Sequence, residues 1–77
     1  MPSLRNISGK SLNSILTKQG FILERTKGSH FIFRFPDAAE IVVVPMHPSI
    51  DRGTLSSIIK KISHAFSETE LRKIFYK

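Results

Sequence analysis

The hydrophobic period changes from one stretch of this chain to the next, and each change predicts an element. Leu12, Ile15 and Leu16 follow at helical spacing behind Ser8, a good N-cap, and Gly20 closes the run as a C′ residue. A first helix is therefore expected from about Gly9 to Gln19. Phe21 to Thr26 reads as a strand, Lys27-Gly28-Ser29 as a turn, and His30 to Phe35 as a second strand. Alternation in that second strand sends Phe31, Phe33 and Phe35 to one face and His30, Ile32 and Arg34 to the other. Pro36-Asp37-Ala38-Ala39 turns the chain again. The apolar, β-branched run from Glu40 to Val44 then makes a third strand that stops at Pro45.

A loop through His47 and Pro48 leads to Asp51, which is placed to cap a second helix. Leu55, Ile58, Ile59 and Ile62 form the apolar stripe of that helix. Ser67-Glu68-Thr69-Glu70 has the form of a capping box and opens a short third helix carrying Leu71, Ile74 and Phe75. No repeat, low-complexity tract or linker interrupts the order, so residues 1–77 are expected to form one α+β domain. The simplest architecture for α-β-β-β-α-α is a three-stranded antiparallel meander with helices on one face. The phenylalanine face of the middle strand would meet the helices, leaving the His30 face to solvent or to a partner.

Size and charge narrow the partners. A chain of 77 residues buries only about 60–65% of the surface its unfolded form exposes, so the core must be compact. It has no cysteine, hence no disulfide framework and no thiolate metal site. No apolar run approaches the roughly 20 residues that span a bilayer. Met1-Pro2-Ser3-Leu4-Arg5 lacks the apolar segment of a secretory signal, and a cytoplasmic location is expected. Lys and Arg outnumber Asp and Glu by 12 to 6, which favours a polyanionic partner, either nucleic acid or an acidic protein.

His30 is the residue with the most chemical promise. It follows a glycine-containing turn, sits opposite three phenylalanines, and has Lys27 and Arg34 nearby. An imidazole can take the proton of an RNA 2′-hydroxyl or supply one to the leaving 5′-oxygen. Lys27 and Arg34 are candidates to neutralise phosphate or the pentavalent oxyanion, or else are solvated charges. Gly28 is first a turn residue accepting positive φ and second an opening for a phosphate. Ser29 either donates to a phosphate oxygen or ends the turn, and Lys10 is a further phosphate-contact candidate. His47, between Pro45 and Pro48, is either an auxiliary acid–base group or a structural residue at the strand exit. His64 has no assigned role. Three dispersed histidines without cysteine or His-x-x-x-His spacing make no metal site, and no cofactor is expected.

Several short elements, taken in order, resemble the HicA family of toxins from toxin–antitoxin modules. They are Ser8-Gly9-Lys10, Gly20-Phe21, Lys27-Gly28-Ser29-His30, Val44-Pro45-Met46-His47, and Gly53-Thr54-Leu55 leading into Ile58-Ile59-Lys60. The resemblance runs from about Ser8 to Leu71. It implies a fold like that of double-stranded-RNA-binding domains and an endoribonuclease (mRNA interferase) activity. It also implies catalysis by the histidine of the Gly-Ser-His element, here His30, and a cognate HicB-type antitoxin that masks the active face. The turn at Pro36-Asp37-Ala38-Ala39 departs from the family by lacking a glycine.

Two other readings compete with a metal-independent ribonuclease acting on mRNA. A non-catalytic RNA-binding module would use the same basic face for duplex shape, with no need of a base at position 30. A basic subunit that docks an acidic protein would show little affinity for RNA.

Overall fold

The computed structural model describes residues 3–77; Met1 and Pro2, part of the terminus read above, lie outside the described residues. Its elements are α1 (Gly9–Lys18), β1 (Ile22–Lys27), β2 (His30–Arg34), β3 (Ile41–Pro45), α2 (Arg52–Ile62) and α3 (Glu68–Phe75), with a 3₁₀ turn at Ser63–Ala65 between the last two. The three strands form one antiparallel sheet in the order β1-β2-β3. The expected α+β meander is thus the observed fold. Among the described residues no helix is long and apolar enough to cross a membrane.

Local chemistry explains where the helices begin and end. The Ser8 hydroxyl accepts from the Ser11 amide at 3.0 Å, and the Asp51 carboxylate accepts from the Thr54 amide at 2.9 Å. Asp51 also takes the Thr54 hydroxyl at 2.8 Å, so the Gly53-Thr54-Leu55 element serves as a helix cap followed by a core residue. The backbone amide and hydroxyl of Thr54 hold the Asp51 carboxyl below its ordinary value of 3.8. Ser67 and Glu70 form the expected reciprocal capping box. At the other end of α1 the Phe21 amide donates to the Leu16 carbonyl at 3.0 Å and the Gly20 amide to that of Thr17 at 3.1 Å. With Gly20 at φ 98°, this is a Schellman ending, and its flanking Leu16 and Phe21 are both buried.

Behind the sheet, Phe33, Phe35, Val42 and Val44 meet Leu12 and Leu16 of α1 and Leu55, Ile58, Ile59 and Ile62 of α2. Phe75 closes the core from α3. The segments at Ser3–Arg5 and Phe75–Lys77 are tied together beside it. The Arg5 amide donates to the Phe75 carbonyl at 2.8 Å, and the Lys77 amide to that of Ser3 at 2.8 Å. His64 also acquires a place, its ring parallel to that of Phe35 with centroids 5.3 Å apart.

The sheet departs from the sequence expectation in three places. The β1–β2 turn contains only Gly28 and Ser29, because Lys27 pairs directly with His30. Gly28 is at φ 60° and Ser29 is not at positive φ, the pattern of a type II′ hairpin with glycine in its first central position. Pro45 does not stop β3 but ends it within the ladder, opposite His30, as an edge strand permits. The third difference is a bulge between Leu23 and Arg25, which shifts the facing of β1 by one residue.

Candidate active site and basic face

Residues opposite one another in an antiparallel pair share a face, so the open side of the sheet follows from the register. It consists of three cross-sheet rows: Ile22–Arg34–Ile41, Arg25–Ile32–Val43 and Lys27–His30–Pro45. The bulge decides this arrangement. Unbroken alternation from Ile22 would have turned Arg25 and Lys27 toward the helices. With Glu24 bulged, both cations join His30 on the open face, Lys27 directly beside it.

His30 is exposed on that face, as alternation predicts. Apart from its own chain neighbours, Gly28 has no atom within 4 Å of the position a side chain would take, which leaves the crest of the turn open next to the imidazole. Ser29 is fixed through its backbone: its carbonyl accepts from the Met46 amide at 2.7 Å. Arg34 stands four residues along β2, roughly 13 Å away at strand spacing. Its Nε donates to Glu24 at 3.2 Å, so its charge is partly neutralised within the sheet. Arg25 is the cation that the sequence pattern missed, and only the bulge brings it to this surface.

The open face is also partly apolar. Ile22, Ile41 and Val43 remain 44%, 38% and 42% exposed, whereas Ile32, flanked by Arg25 and Val43, is reduced to 8%. One flank of the face is therefore cationic, along β1, and the other is aliphatic, along β3.

Lys10 and His47 belong to a different surface. They line an open groove of about 530 Å³ with Asn13, Phe31, Met46 and Pro48, and His30 is not among its lining residues. The groove exists because the amino end of α1 is pressed against the exit of β3. The Gly9 amide donates to the His47 carbonyl at 2.9 Å, and Gly9 lies directly on the Pro45–Met46 backbone. The Ser8-Gly9-Lys10 and Pro45-Met46-His47 elements thus meet in space, and glycine is what lets them meet. Among the described residues no three His, Cys, Asp or Glu side chains converge.

The family model for the HicA toxin of bacterial toxin–antitoxin modules matches residues 9–63. The chain belongs to the HicA toxin family. The matched span begins at the buried Gly9 and runs through the whole sheet and α2, ending at the 3₁₀ turn, so α3 lies beyond it. As a toxin of such a module, the protein has an antitoxin as its partner. Neither the curated proteins nor the solved structures yielded a match to this chain.

Proposed function

We propose that this HicA-family toxin is a metal-independent endoribonuclease whose proton-transfer group is His30. The observation that carries the reading is the Lys27–His30–Pro45 row, where an exposed imidazole stands beside a cation at the open crest of a tight turn. RNA brings its own nucleophile. The 2′-oxygen attacks phosphorus and the bond to the 5′-oxygen breaks. The 2′-hydroxyl proton passes to a base and the departing oxygen receives one, both within the competence of an imidazole. Lys27 and Arg25 face the charge that develops on the phosphoryl oxygens, with Lys27 the nearer in register.

This chemistry fixes the products and their metal dependence. Purified toxin is expected to cut single-stranded RNA equally well with and without EDTA, leaving a 2′,3′-cyclic phosphate (or its hydrolysis product) and a 5′-hydroxyl. End-group analysis of the fragments checks it. Strict inhibition by EDTA or 5′-phosphate ends would refute the mechanism, and RNA binding without cleavage would return the non-catalytic RNA-binding reading.

The same face suits a HicB-type antitoxin that silences the toxin by covering His30. Acidic side chains would meet Arg25 and Lys27 while apolar ones pack on Val43 and Ile41. Charge reversal at Arg25 and Lys27 together is expected to slow association by about tenfold or more at low salt. Wild-type association should be the more salt-sensitive of the two. Stopped-flow mixing over a range of ionic strengths reads both effects, and unchanged rates would move the antitoxin to another surface.

A further inference from the structure

The groove at the amino end of α1 takes no part in the proton chemistry assigned to His30, yet its composition is that of a ligand site. Its floor is apolar and partly aromatic, made by Phe31, Met46 and Pro48, and its rim carries Lys10, Asn13 and His47. Sites for unpaired bases combine such a platform with a few polar groups and a cation for the backbone. Its volume of about 530 Å³ lies within the range of small-ligand sites. Asn13 brings to the lining a side-chain carboxamide, which offers a donor and an acceptor together. Lys10 belongs to neither ion pair of the described residues, and no carboxylate is among the groove's lining residues.

The groove's position relative to His30 gives these features a common purpose. Phe31 follows His30 directly, so the two side chains leave opposite sides of one strand end, from Cα atoms about 3.8 Å apart. The Met46 amide, bonded to the Ser29 carbonyl at 2.7 Å, ties the groove floor to the turn that precedes His30. The open crest at Gly28 belongs to that same two-residue turn.

We propose that this groove is a subsite for one unpaired nucleotide flanking the cleaved phosphodiester, its base on the Phe31–Met46–Pro48 floor, its edge read by Asn13 and its phosphate held by Lys10. The inference rests on the reading of the chain as a ribonuclease. A strand crossing the Gly28 crest places one phosphate at His30 and the neighbouring base in the groove. The cationic rim favours a nucleotide over an apolar peptide side chain, and the amide–imidazole pair favours a base over a bare phosphate.

The test uses His30→Ala protein, which holds RNA uncut, with Lys10→Ala or Asn13→Ala added and a fluorescent single-stranded RNA as probe. Both positions lie on the surface side of α1, and thermal melts confirm that each variant folds. Lys10→Ala is expected to weaken binding by about tenfold and to flatten the slope of log Kd against log salt by about 0.7. Asn13→Ala, in the His30-intact chain, should redistribute cleavage according to the base on one side of the cut. Binding and cleavage patterns unchanged in both variants would overturn the subsite while leaving the ribonuclease reading intact. A wild-type chain that binds RNA through Lys10 but never cuts it would overturn that reading and leave the groove as an RNA contact. Loss of antitoxin binding, with RNA binding unaffected, would make the groove a protein contact and refute the proposal.

Discussion

Replacing His30 by alanine is expected to abolish RNA cleavage and growth arrest while leaving the fold nearly untouched. The two halves of this expectation come from separate observations. His30 is exposed on the open face, so truncation opens no cavity, and surface changes of this kind usually shift stability by only about 0.5 kcal/mol. General acid–base catalysis, by contrast, is typically worth about 10²–10⁴-fold in rate. A loss of that size, with an unchanged melting temperature and unchanged affinity for uncut RNA, separates a proton-transfer group from a binding or structural residue. Paired expression of wild type and His30→Ala, followed by growth curves and RNA integrity, reads the effect in cells. Wild-type cleavage by the purified variant would remove His30 from the mechanism, and a large fall in melting temperature would make it structural.

The helices and the core were readable from sequence because their signals are local. Ser8, Asp51 and the Ser67–Glu70 pair each cap within one turn, Gly20 ends α1 at positive φ, and the three phenylalanines of the second strand point inward as alternation requires. The placement of His30 on the opposite face was readable for the same reason. The facing of β1 was not. A bulge at Glu24 has no residue signature in Ile22-Leu23-Glu24-Arg25-Thr26-Lys27, yet it brings Arg25 to the open face. Arg34 looked like a free cation because its partner, Glu24, is adjacent only once the hairpin has formed. His64 stacks on Phe35 across a long stretch of sequence that no periodicity links. The groove was beyond sequence reading as well, since Lys10 and Asn13 meet Phe31 and Met46 only through the docking of α1 on the β3 exit.

That docking depends on one missing side chain, and Gly9→Ala is expected to destabilise the protein strongly. In an ordinary helix position the same change stabilises by about 0.5–1 kcal/mol, because alanine has less backbone freedom to lose. Here a methyl group would fall inside contact distance of the Pro45 carbonyl oxygen and 2.7 Å from the Met46 Cα. Both neighbours are backbone, so no rotamer change relieves the clash; α1 must retreat or the β3 exit must move. Overpacking of this kind costs about 1–3 kcal/mol. A domain of 77 residues has only about 4–12 kcal/mol in total, and a loss of that size should lower the melting temperature by roughly 6–19 °C. Gly53→Ala is the control, since its added methyl would meet only the Asp51 Oδ1 at 3.4 Å, the near edge of ordinary van der Waals contact, and no backbone. That variant is expected to melt close to wild type. Because a retreat of α1 also carries Lys10 away from Met46 and His47, residual folded Gly9→Ala protein should bind single-stranded RNA more weakly than wild type. A melting temperature for Gly9→Ala at or above that of wild type would mean that the helix and the strand exit are not held in direct backbone contact, and the groove built on that contact would lose its foundation.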